Sequence, residues 1–183
     1  GSMIIGGIVM VMILNVNSNY ITMQGKQTLS KVVQSNATAA AEVLENDLRK
    51  IGYRCTDSIK IKYIDSSKII ALGDFDDNGV VDSLKYYLDN TTPVYSSPGN
   101  NRIRMLYRVF NTQAPSRINL GFSRFRLWYL DSLETETAVL TKIRSIKVAL
   151  QFESPYKFQT TAQYDTGFYS LYWERIVKPK NLK

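Results

Sequence analysis

LSKVVQSNATAAAEVLENDLRKIG, residues 29–52, sets the frame for the whole chain. Its apolar positions Leu29, Val33, Ala37, Ala40, Leu44, Leu48 and Ile51 advance in steps of three or four, which traces one stripe of an amphipathic α-helix. Glu45 and Arg49 stand one turn apart as a favourable pair off that stripe, and Gly52 is the expected stop. No proline interrupts residues 17–53, so the helical stem is expected over that whole range.

Upstream, Ile4–Leu14 reads IIGGIVMVMIL, an unbroken apolar run about half as long as the roughly 20 residues a membrane helix needs. Residues 4–16 are therefore read as part of a hydrophobic anchor helix, the alternative being a buried helix or strand. No basic leader or small-residue cleavage site marks a complete secretory signal. Residues 1–3 have the look of a tag remnant and start.

Downstream the period changes to two. Ile59, Ile61 and Tyr63 alternate with Lys60 and Lys62, and Asp65-Ser66-Ser67 turns the chain into Lys68–Leu72, which reads as a hairpin. Further strands are expected at Ser83–Leu88, Arg102–Phe110, Phe122–Leu130, Ile143–Phe152, Lys157–Gln163 and Phe168–Val177, with a loop at Asn90–Asn101. A helix first and turn-bounded strands afterwards predict an α+β fold, a long N-terminal helix packed on an antiparallel β-sheet formed by residues 54–183.

Composition narrows the chemistry. The 183 residues include no histidine and one cysteine, Cys55, so Ser-His-Asp and Cys-His nucleophiles, His zinc sites and an internal disulfide are all excluded. Glu134 and Glu136 sit two apart in an expected loop, and a paired-carboxylate site would have to be assembled from distant positions. A non-enzymatic role is the expectation. The net charge of +7 is uneven: residues 74–100 hold one Lys/Arg against five Asp/Glu, and residues 101–183 hold fourteen against six.

The acidic stretch is Gly73-Asp74-Phe75-Asp76-Asp77-Asn78-Gly79-Val80-Val81-Asp82. Asp74, Asp76, Asn78, Val80 and Asp82 match positions 1, 3, 5, 7 and 9 of an EF-hand loop, with Gly79 at the sharp turn, so oxygen donors for Ca²⁺ are spaced along it. Position 12 is Lys85 instead of a bidentate Glu, which points to weak binding, about 10⁻⁴ to 10⁻³ M. An Asp/Asn/Gly turn bonded to its own backbone is the competing reading. In the basic half, Arg102, Arg104 and Arg108 share one parity, as do Arg124, Arg126 and Trp128. Neighbouring strands would gather five guanidiniums and an indole on one face, suited to nucleic acid or simply solvated. The Asn36-Ala37-Thr38 sequon falls within the stem and reads as chance.

The order of these segments resembles type IV pilin-like proteins, in particular PilW-type minor pilins and J-type (GspJ-like) type II secretion pseudopilins. IIGGIVMVMILNVNSNYI is similar to the end of a prepilin membrane helix, and AAEVLENDLRKIGYR to the helix end in that family. GDFDDNGVVDSLKYYL resembles the acidic turn and strand that follow, RIRMLYRVF, FSRFRLWYLD and IRSIKVALQFESPY the later strands, and ERIVKPKNL the ending. The peptidase site and the Glu that follows it in such proteins are not present in these residues. The resemblance implies a structural subunit of a pilus or secretion pseudopilus. It would be held in the bacterial inner membrane before assembly, would pack against other pilin or pseudopilin subunits through its N-terminal helix, and would show its head outside the cytoplasm. The runner-up expectation is a Ca²⁺-dependent extracytoplasmic binding or adhesion module.

Overall fold

The computed structural model describes the backbone of residues 2–157 and 167–182, with side chains from residue 25 onward in those ranges, Lys26 excepted. Helix α1 runs Ser2–Arg49, 48 residues, crossing the expected anchor–stem boundary without a break. From Val33 on its stripe behaves as the spacing requires, with Val33, Ala37, Ala40, Leu44, Leu48 and Ile51 all buried in the main core, while Leu29 at its start is half-buried. Burying such a stripe contributes several kcal/mol at about 25 cal/mol per Å². The helix ends short of Gly52. The Lys50 and Ile51 amides bond back to Asp47 and Leu48, tightening the last turn, and the Gly52 N–H leaves the helix for the Leu72 carbonyl at 2.7 Å. Gly52 adopts φ +76°, the left-handed conformation that redirects the chain into the sheet.

Among the described residues eight strands follow: β1 Ile61–Asp65, β2 Lys68–Gly73, β3 Asp82–Pro93, β4 Arg104–Phe110, β5 Ser116–Ile118, β6 Phe122–Leu130, β7 Ser145–Glu153 and β8 Ser170–Val177. They form two antiparallel sheets, β1-β2-β3-β4-β5 and β6-β7-β8, where one was expected. The chain is thus mixed α+β and mostly β beyond the helix. A 3₁₀ turn, Leu140–Lys142, precedes β7.

The hairpin and the Phe122–Leu130 strand lie where the alternation puts them. Three expectations are corrected. β3 runs on to Pro93, so the expected loop loses its first residues to the sheet, with Pro93 in register with Arg104. β5 pairs Leu106, Tyr107 and Arg108 with Ile118, Arg117 and Ser116, a contact too short to show as alternation. Lys157 lies in no strand, and Phe158–Gln163 lie outside the described residues. Among the described residues no helix is long and apolar enough to cross a membrane.

Alternation sorts each sheet into two faces. In the first, Ile69 and Ala71 of β2, Leu84, Tyr86 and Leu88 of β3, and Leu106 of β4 enter the core. In the second, Phe125, Leu127 and Tyr129 of β6 face inward with Ile146, Val148, Leu150 and Phe152 of β7. The sheets meet where the β1–β2 turn rests on β6. There the Leu127 N–H donates to the Ser66 carbonyl at 2.7 Å, and the buried Tyr129 hydroxyl lies 2.9 Å from the Lys68 carbonyl.

Candidate functional site

Three places concentrate charge, and their geometries differ. The first is the acidic turn between β2 and β3. Asp74 and Asp82 are buried and Asp76 is exposed, and one oxygen from each lies within 4.8 Å of the others. The turn satisfies these oxygens largely from within. Asp74 accepts the Asn78 N–H at 3.0 Å and the Gly79 N–H at 2.9 Å, and Arg54 Nη1 adds a third donor at 3.0 Å. Asp76 accepts the Asn78 side-chain amide at 2.9 Å, while Asn78 Oδ1 accepts the Val80 N–H at 2.7 Å. Asp82 takes the Phe75 N–H at 3.3 Å and the Asn111 amide at 2.8 Å. Gly79, at φ +88°, makes the turn possible.

Of the sequence-predicted donors, the structure brings Asp74, Asp76 and Asp82 together. Asn78 spends its side chain inside the turn, and the Val80 side chain is 62% exposed. Lys50 clamps the turn to the end of α1, with Nζ 2.6 Å from Asp77 and 2.9 Å from the Phe75 carbonyl. Burial opposes ionisation of Asp74, but the Gly79 N–H and the Arg54 guanidinium outweigh it and hold its carboxyl below the usual carboxylate range. Chemically, the turn is a carboxylate cluster in which Asp74 already has a guanidinium partner.

The second place is on α1. Asp47 is 5% exposed and shares the inward face with Leu44 and Leu48. It accepts the Tyr86 hydroxyl of β3 and Arg108 Nε of β4, the latter at 2.8 Å. Arg108 Nε also lies 3.2 Å from the Tyr86 hydroxyl, closing a triad. Burial, with Asp47 adding to it, pushes the Tyr86 phenol far above its usual range, so it stays a donor. Two residues earlier on the helix, Glu45 pairs with Arg175 of β8 and with Arg49. The Arg175 guanidinium lowers its carboxyl below the usual value, against a smaller opposing effect of burial. Sequence reasoning placed Glu45 on the outer side of the helix and passed over Asp47. The available signal was phase: Asp47 lies seven residues after Ala40 and three after Leu44, on the stripe itself.

The third place is the basic half, where the expected five-arginine face does not form. β4 and β6 belong to different sheets. Arg108 turns inward to Asp47, because Leu106 of the same parity faces the core. Arg102 pairs with the buried Glu153 at 2.9 Å, and Arg104 bonds the carbonyls of Asn101 and Ile103. Arg124, Arg126 and Trp128 do share the outer face of the second sheet, with the Arg126 guanidinium 4.8 Å from the indole. Glu134 pairs with Lys178 at 2.7 Å, while Glu136 bridges to Leu130 through its backbone.

Beside α1, a cleft of about 230 Å³ opens between Ala39, Ala40, Val43 and Leu44 of the helix and Leu106 and Phe122 of the sheets. Val43 of this cleft, like Val32 earlier on the helix, is 51% exposed. No family model matches this chain, and no curated protein or solved structure matches it either.

Proposed function

We propose that this protein is a structural subunit of a type IV pilus or type II secretion apparatus, a minor pilin or pseudopilin in role, which acts by packing its helix and displaying its head. The observation that carries this reading is the division of labour along α1. A helix of 48 residues spans about 72 Å at 1.5 Å per residue. Among the described side chains, those from residue 25 onward with Lys26 excepted, the buried anchoring residues run from Val33 to Leu48, and the apolar run Ile4–Leu14 lies toward the other end of the sequence of α1. An apolar helix of that kind exchanges lipid for neighbouring helices at little cost, since both accept the same surface. In this reading the inner membrane holds the subunit before assembly, other pilin or pseudopilin subunits receive its N-terminal helix, and the head lies outside the cytoplasm.

Site-directed crosslinking tests it. In a Cys55→Ser background, single cysteines at Ile8 and at Val43 are placed in the full chain reconstituted in liposomes. Ile8→Cys is expected to crosslink between copies and to partition with lipid. A chain that stays monomeric and lipid-free with the head folded overturns the reading.

The convergence of Asp74, Asp76 and Asp82 supports a second reading, a Ca²⁺-dependent extracytoplasmic binding or adhesion module. Calorimetric titration with Ca²⁺, wild type against Asp74→Ala/Asp76→Ala, separates it from a self-bonded turn. Identical flat traces remove it.

A further inference from the structure

The outer face of the second sheet lies opposite its core residues Phe125, Leu127, Val148 and Leu150, and strand register fixes what it presents. Arg124 stands across from Tyr172 with one strand between them, Arg126 across from Glu174 with Ala149 between them, and Trp128 beside Lys147. Arg124 and Arg126 are exposed and enter no ion pair among the described residues. Lys147 pairs with Glu174 at 2.8 Å, and the Tyr172 hydroxyl donates to the same carboxylate. Trp128 is partly exposed, with the Arg126 guanidinium 4.8 Å and the Lys147 ammonium 5.1 Å from its ring. Ala149, in register between Arg126 and Glu174, is buried beneath its longer neighbours.

Three cations against one carboxylate favour an anionic ligand. The remaining groups narrow its class. A nucleic-acid strand brings a phosphate with every nucleotide, and the central Glu174 repels such a dense run of charge. A sugar polymer with acid groups set among hydroxyls meets both needs: guanidiniums take its acid groups in paired hydrogen bonds, and Glu174 and Tyr172 exchange hydrogen bonds with hydroxyls. The electron-rich indole offers a surface to the C–H face of a pyranose ring. We propose that this sheet face binds an acidic oligosaccharide, with Arg124 and Arg126 on its acid groups, Trp128 against a sugar ring, and Glu174 and Tyr172 on its hydroxyls.

The full chain is titrated with oligogalacturonate and with a heparin-derived oligosaccharide, next to methyl-esterified oligogalacturonate, a single-stranded oligothymidylate and phosphatidylglycerol vesicles. At least one acidic sugar is expected to bind saturably. Arg124→Ala/Arg126→Ala should weaken it roughly tenfold or more, as the loss of charge-assisted hydrogen bonds requires. The same charge change at Lys62→Ala/Arg117→Ala, exposed on the first sheet, should alter it by less than about twofold. Melting curves establish that all variants are folded. Absence of binding by both acidic sugars overturns the proposal, as does an equal loss in the two double variants. Tighter binding of the oligothymidylate or the vesicles overturns it too, in favour of nucleic acid or a membrane surface.

Discussion

The acidic turn and the Asp47 triad both bury carboxylates, and they satisfy them by opposite means. Asp74 draws on N–H groups four and five residues ahead, plus Arg54. Asp47 draws on Tyr86 and Arg108, 39 and 61 residues away on two strands. The turn can therefore organise itself before the fold is complete, while the triad exists only once the helix has docked. A carboxylate of the first kind shapes a loop. One of the second kind has its partners only when the helix is docked in this register.

Placing a carboxylate one turn away from Asp47 gives the harshest contrast. Leu44 is 3% exposed in the core and has no polar partner, so Leu44→Asp should destabilise the head by about 4 kcal/mol or more, read as a lost or greatly lowered melting transition. Asp47→Ala comes next, at about 3–5 kcal/mol, because it leaves Arg108 half-buried and unpaired. The triple variant Asp47→Leu/Tyr86→Phe/Arg108→Met should recover most of that loss, since it removes both charges together with the buried hydroxyl that bonds only to them. Urea denaturation of the three variants measures the series, and failure of the triple variant to recover would assign the triad a net stabilising role.

The turn responds more gently and mainly to acid. Asp74 and Glu45 have carboxyls lowered below their usual values, so their contribution is present above about pH 5 and is lost as pH falls through the folded-state values. Stability should therefore decline from pH 5 toward pH 2, and Asp74→Asn should make that decline shallower, as thermal melts across the range would show. Arg54→Gln removes the guanidinium from the cluster, and Ca²⁺ affinity by calorimetry should rise several-fold if the turn takes the ion. The smallest effect belongs to Lys178→Ala. Its bridge to Glu134 is exposed on both sides, so the melting free energy should change by no more than about 0.5 kcal/mol.

The same contrast explains what could be read from the sequence. The helix stripe from Val33, the β1–β2 hairpin expected over Ile59–Leu72 and found at Ile61–Gly73, and the convergence of Asp74, Asp76 and Asp82 are all written in neighbouring residues. The split into two sheets depends on whether β4 pairs with β5 or β6, a choice among non-local partners that alternation cannot encode. The inward turn of Arg108 follows from that choice. Parity grouped it with Arg102 and Arg104, yet its strand begins only at Arg104 and its core-facing neighbour is Leu106. Asp47 was hidden for a related reason: a charge on an apolar stripe is legible as an exception, but its partners lie on strands whose order was unknown.

Glu45 and Asp47 also have a mechanical consequence. One is tied to β8 of the second sheet, and the other to β3 and β4 of the first. A pull along the helix axis is delivered to both sheets within a single turn of the helix, through the buried Asp47 contacts on one side and the partly exposed Glu45–Arg175 bridge on the other.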